Sequence, residues 1–174
     1  MTIFQTLSLI SALLLIVLLY LLRVYNTIIV KRNQVKTDYS DIDIQLKRRA
    51  SLIQTLADLV RDYAKHEKTT FEKVSQARSM IDSSRTPSDF AKADNLLTQS
   101  LRSLYAVIEN YPQLQASKNY RELRQDILQT ENLIAHYREE YNRSVQAYNN
   151  YIQTFPRLVV AKLFGFEAEP LFQA

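Results

Sequence analysis

The residues here that could do chemistry are few. His66 and His136 are the only histidines in 174 residues, and there is no cysteine. A thiol nucleophile, a thiolate metal site, a disulfide framework and a lipid-modified cysteine are therefore excluded, and a cysteine-free chain suits a reducing compartment. A phosphate-cradling loop needs several glycines, and the chain has one, Gly165. The HExxH zinc motif is absent. A di-metal carboxylate centre in a helical bundle needs Glu-x-x-His on two helices. Tyr63 and Leu133 stand three residues before the histidines, so that pattern fails at both. Asp62 with His66, and His136 with Glu140, share a helix face at i,i+4, the usual spacing of a surface hydrogen bond. No catalytic, cofactor-binding or metal-ligating residue is assigned, no cofactor is expected, and the chain reads as a non-enzyme.

Recognition chemistry is better represented. Asp43 with Lys47, Arg48 and Arg49, and separately Phe164 and Phe166 around Gly165, carry more specific identities than helix packing demands. Arginines and aromatics are the usual anchors of protein interfaces. These six residues are the candidate interaction residues. Arg49 has two readings, because it falls on an otherwise apolar seam. Either its stem is buried while its head snorkels or pairs with a carboxylate, or it binds a ligand.

Elements must position these groups, and the first is an apolar run. Residues 3–22 read IFQTLSLISALLLIVLLYLL, with no charge before Arg23. About 20 helical residues span roughly 30 Å of hydrocarbon. No basic n-region precedes the run and no small-residue cleavage pattern follows it, which argues against a signal peptide. Residues 3–22 are expected to be a single transmembrane helix. Arg23, Lys31, Arg32 and Lys36 follow it, so the positive-inside rule places Met1 outside and the rest of the chain in the cytoplasm, at a cell (inner) membrane.

Beyond the span, one Gly and four Pro argue against a turn-rich sheet fold. The formal net charge is +4, from 22 basic and 18 acidic residues. Signs are mixed without a dominant basic stripe, so a nucleic-acid partner is not expected. Val35, Tyr39, Ile42, Leu46, Arg49, Ile53, Leu56, Val60 and Tyr63 alternate spacings of three and four, the seam of a packed bundle helix. The rhythm continues through Glu67, Phe71, Val74, Arg78 and Ile81. Thr69-Thr70-Phe71-Glu72 has the form of a capping box, which favours a break near 65–69. Thr86-Pro87-Ser88-Asp89 opens a further helix, with Phe90, Ala93, Leu97, Leu101, Leu104 and Ile108 inward until Tyr111-Pro112. Ser117 is placed to cap the last long helix. Its seam runs Tyr120, Leu123, Ile127, Thr130, Ile134, Tyr137, Tyr141, Ser144, Tyr148, Tyr151 and Phe155, and Pro156 closes it. The expected fold is all-α: a transmembrane helix (3–22), then an antiparallel four-helix bundle of two long and two shorter helices (23–156). An apolar tail (157–174) packs on the bundle or lies at an interface.

Several segments resemble LemA-family motifs. Asp41 to Ala50 (DIDIQLKRRA) is similar to IDVQLKRR, Tyr63 to Lys68 (YAKHEK) to YAxHEK, and Thr130 to Ala135 (TENLIA) to TENxIA. Tyr141-Asn142 and Tyr148-Asn149 resemble the paired YN elements, and Phe155-Pro156 with Leu163 to Phe166 resembles FP…LFGF. Tyr25-Asn26 fits a YN just past the membrane. Tyr39 stands where the family commonly has Trp, and Gln54 where it commonly has Pro, which removes a kink from the first helix. The resemblance implies a bacterial single-pass membrane protein with a helical bundle and implies no reaction. The expected role is a membrane-tethered interaction or scaffold module, in contact with the lipid bilayer and with a protein partner or a second copy. The alternative is a ligand-binding or sensor bundle for a lipid or other apolar molecule.

Overall fold

The computed structural model describes residues 3–173, and among them are six helices and no strand. They are α1 (Ile3–Arg61), α2 (Lys68–Ser83), α3 (Pro87–Ile108), α4 (Pro112–Gln115), α5 (Lys118–Gln153) and α6 (Arg157–Leu163). The chain divides into two compact units, one of residues 1–37 with 143–170 and one of residues 38–142 with 171–174.

The second unit is a helix bundle whose direction follows from who meets whom. Tyr39 of α1 packs edge-on against Phe90 of α3 and tilted against Tyr141 of α5, with ring centroids 5.6 and 5.8 Å away. Ten residues on, Arg49 meets Asp94 of α3 and Glu131 of α5. Numbering rises together in α1 and α3 and oppositely in α5, while α2 doubles back between α1 and α3. The arrangement is up-down-up-down, as the matched seams predict. On α1, Ile42, Leu46, Arg49, Ile53, Leu56 and Val60 are all buried, and Ala50, Ala57 and Ala64 beside them give neighbouring helices room. The six residues expected inward on α3 are likewise buried. α1 passes Gln54 without a break, its backbone N–H available to the helix where a proline would have none, and its side-chain amide donates to Asp58 Oδ1 at 3.1 Å.

Local signals set most boundaries. Thr86 caps α3 as expected: its hydroxyl accepts from the Asp89 N–H, and the Asp89 carboxylate accepts from the Thr86 N–H, both at 3.2 Å. That hydroxyl contact and the neighbouring N–H groups hold the Asp89 carboxyl below the usual carboxylate range. The Ser117 hydroxyl accepts from the Tyr120 N–H at 3.3 Å. The break between α1 and α2 falls at residues 62–67, close to the expected place, but the capping box does not form. α2 starts at Lys68 with Glu67 as N-cap and no side-chain bond, and Thr70 turns inward and is buried.

In the first unit, Val24, Ile28 and Val35 of α1 share a core with Val145, Tyr148 and Ile152 of α5 and with Val160 and Ala161 of α6. The expected seam fails at its end here, since Phe155 is 77% exposed while Val145 and Ile152 are buried. An ideal helix drifts about 20° per heptad against a strict seven-residue repeat, which moves the inward face on by one position to Val145 and Ile152; Phe155 lies past the last helical residue, Gln153, where the repeat no longer holds. α6 ends in a Schellman motif: Gly165 has φ +69, its N–H bonds to Lys162 O at 3.3 Å, and the Phe166 N–H bonds to Ala161 O at 2.9 Å. A Cβ at Gly165 would meet nothing within 4 Å, so backbone conformation alone demands glycine there.

Candidate functional site

Arg49 is 3% exposed and resolves its two readings by pairing internally. One terminal nitrogen lies 2.7 Å from Asp94 Oδ1 and 3.4 Å from Thr98 Oγ1, and the other lies 3.7 Å from Glu131. Arg138 of α5 takes the remaining Asp94 oxygen, with Nη2 to Oδ2 at 2.5 Å. Asp94 thus bridges two guanidiniums from two helices, and Glu131, half-exposed, brings the group to charge balance. Charge-assisted bonds of this kind fix geometry as much as they stabilise. Its groups pair with one another, and its chemistry is that of a clamp joining α1, α3 and α5. Sequence reasoning missed Asp94 and Arg138. Asp94 was visible as an acid four residues after Phe90 and three before Leu97, on the apolar face of α3.

The other charged candidates stay at the surface. Lys47 Nζ lies 2.8 Å from Asp43 Oδ2 one turn earlier, with side chains 47% and 27% exposed, a pair worth well under about 1 kcal/mol. Arg48 is exposed and makes no ion pair among the described residues. Phe164 and Phe166 belong to the first unit, where both meet Tyr25, with ring centroids 4.9 and 5.7 Å away. The structure therefore groups Asp43, Lys47 and Arg48 on one stretch of α1, takes Arg49 inside, and holds the two Phe residues on an aromatic just past the apolar run.

The paired YN elements have a role that sequence reasoning did not find: they grip the extended tail. In the first unit the Asn149 amide exchanges two hydrogen bonds of 2.9 Å with the backbone of Glu169, and the Tyr148 hydroxyl donates to Glu167 O at 3.0 Å. Arg32 adds an ion pair to Glu169 at 3.2 Å. In the second unit Asn142 exchanges the same two bonds with Phe172, at 2.8 and 3.1 Å, and Arg138 stacks on the Phe172 ring at 4.6 Å. Each asparagine thus satisfies one N–H and one C=O of a chain that has no strand to pair with.

Burial raises three of the tyrosine phenols. Burial, then the nearby Tyr141, Asp43 and Asp89, push the Tyr39 phenol up to about 12 against the partial relief of Arg85. Burial also raises Tyr105 and Tyr148. His66 lies exposed in the α1–α2 turn and His136 exposed on α5 beside the Tyr137 ring. Among the described residues no three His, Asp or Glu side chains gather as a metal site would require. A groove of about 340 Å³ between α1 and α5 is lined by Thr55, Leu59, Asn119, Glu122, Leu123 and Asp126. Its two carboxylates are the wrong lining for an acyl chain.

Fold and site together define a membrane-associated helical protein, with a clamped helix bundle and one apolar helix near the N-terminus that is long enough to cross a bilayer. The family model that matches is the LemA family, over residues 38–174, and the chain belongs to that family. It is 25% identical over 179 residues to Magnetosome protein MamQ 2 of Paramagnetospirillum magneticum, covering 88% of this chain and 66% of that one. Magnetosome protein MamQ of Magnetospirillum gryphiswaldense is 25% identical over 178 residues, covering 87% and 65%. Protein LemA of Metamycoplasma hominis is 29% identical over 152 residues, covering 86% and 68%. The chain spans just under two thirds of the length of these magnetosome proteins.

Proposed function

We propose that this chain is a non-enzymatic interaction module tethered to a membrane by residues 3–22, with its bundle in the cytoplasm. One observation carries the tether. Every large apolar side chain from Leu7 to Leu19 is about half exposed or more, Leu14 and Ile16 at 64%, whereas α1 begins to bury residues at Val24. A core helix of a soluble protein would be covered by its own chain; lipid supplies the cover here. Relatives named as magnetosome proteins and as Protein LemA align with 88% and 86% of the chain. Orientation rests on Arg23, Lys31, Arg32 and Lys36. An alkaline phosphatase fusion after Ala174 should be inactive while a fluorescent-protein fusion at the same place glows. The reverse pattern would put the bundle on the other side.

The interaction surface is the charged stretch of α1. Lys47 and Arg48 project from a rigid helix that the Arg49–Asp94–Arg138 clamp immobilises, a supporting shell that a recognition surface requires. Arg48→Glu should shift stability by less than about 0.5 kcal/mol, as exposed substitutions do, and should lower the yield of complexes captured by in-cell crosslinking. Wild-type crosslinking yield in a variant with wild-type melting would remove this surface from the function.

A further inference from the structure

We propose that α6 and the Phe164-Gly165-Phe166 turn form a foot that rests on the phospholipid surface beside the point where α1 enters the bilayer. The inference rests on the reading of residues 3–22 as a membrane span. α6 is two-faced over its short length. Val160 and Ala161 are buried in the first unit, while Val159, Leu163 and Phe164 are 59%, 73% and 53% exposed, with Phe155 just before them at 77%. Val159 and Leu163 lie one turn apart on the same face of α6, and exposed apolar side chains grouped in this way on a folded unit mark a contact surface.

Its place relative to the span says what covers it. Tyr25 is the third residue past Leu22, about 4.5 Å further along the helix axis. That is headgroup depth, where tyrosines collect in membrane proteins. The same Tyr25 ring holds Phe164 edge-on at 4.9 Å and Phe166 at 5.7 Å. The exposed face of α6 is thereby fixed at the level where the span leaves the hydrocarbon, within one compact unit. Charge agrees within α6, which reads RLVVAKL, two cations and no acid, with Arg157 lying over the Tyr151 ring at 4.3 Å; Arg23 stands two residues before Tyr25 on α1, and Glu167 follows the turn. Apolar side chains dipping into the acyl boundary with Lys and Arg among lipid phosphates are the make-up of an interfacial helix. A second copy of the chain would find no acidic partner on α6 itself and would have to approach along the bilayer.

The absence of tryptophan from the chain makes a clean test possible. Full-length Leu163→Trp, Leu14→Trp and Ile44→Trp would each be reconstituted into vesicles of phosphatidylglycerol and phosphatidylcholine brominated at defined acyl positions. Leu14→Trp reports the span, and Ile44→Trp, 55% exposed, reports the bundle surface. Leu163→Trp is expected to emit to the blue of Ile44→Trp and to be quenched most by bromines near the carbonyl end, with Ile44→Trp unquenched. If Leu14→Trp is quenched but Leu163→Trp is not, the foot is wrong and the span stands, whether the indole is bathed in water or covered by protein. If Leu14→Trp is also unquenched, the span itself fails and the foot with it. Val159→Trp, on the same face, repeats the measurement should Leu163→Trp lose its helical circular dichroism.

Discussion

Asp94→Ala should destabilise the bundle by about 3–5 kcal/mol, the cost of leaving a buried charge without its partner. Arg49 is 3% exposed and cannot carry its guanidinium to water. Glu131 at 3.7 Å is too far and too solvated to replace a contact of 2.7 Å. Arg138 differs, since at 21% exposure it can turn outward along the Phe172 ring. The loss therefore falls mainly on Arg49. Asp94→Asn should lose nearly as much, because an amide keeps the shape and drops the charge. The paired change Arg49→Met with Asp94→Leu removes charge and counter-charge together and should return most of the stability, since apolar replacements of buried pairs are often neutral or better. Urea unfolding followed by circular dichroism across this double-mutant cycle measures the coupling. A cost below about 1 kcal/mol for Asp94→Ala would mean that the pair behaves as a surface ion pair. If the double variant folds stably yet Arg48 crosslinking falls, the clamp serves to present α1 rather than to hold the bundle together.

Periodicity made the helices readable, and it also set where reading stopped. From Ile42 to Val60 every seam position is buried, because helix packing repeats the same local rule each turn. The cap at Thr86 was equally plain, since its partner Asp89 lies within one turn. At Thr69 the same pattern misled: Thr70 is worth more as a buried residue than Thr69 is as a cap, and that choice depends on packing rather than on neighbours in sequence. Arg78 was placed inward by carrying the repeat of α1 across the break into α2, and Phe155 by carrying that of α5 past its last residue, Gln153. The tail was the least legible part. Asn142 and Asn149 bond to backbone atoms 30 and 20 residues away, and a backbone acceptor asks for no particular side chain, so nothing at residues 169 or 172 announces the contact. The clamp lay between these extremes. Arg49 on a seam demanded a carboxylate, and only its identity required three dimensions.

Removing residues 1–22 should move the protein from the membrane fraction to the soluble fraction with its helices intact. The cut is chosen from burial: Val24 is the first buried residue of α1, and among the described residues none before it is buried in either core. The residues removed are therefore neutral to folding and decisive for location. Each buried apolar side chain is worth about 1.5–3 kcal/mol against water, so a run of exposed leucines and isoleucines holds the intact chain in lipid irreversibly. What remains is the apolar face of α6 with Phe155, four exposed side chains whose burial is of the same order as that of a single myristoyl chain, and one such chain gives only marginal, reversible binding. The truncated protein should accordingly float with anionic vesicles at low salt and leave them as ionic strength rises, because the attraction of Arg157 and Lys162 for phosphate is screened beyond a Debye length of about 8 Å at physiological salt. Its thermal melt by circular dichroism should stay cooperative, since the clamp, the seams and the asparagine-held tail are all retained. A broad, non-cooperative melt would show that the span takes part in folding. A truncated protein that still pellets with membranes after a high-salt wash would show that residues 23–174 carry an anchor of their own.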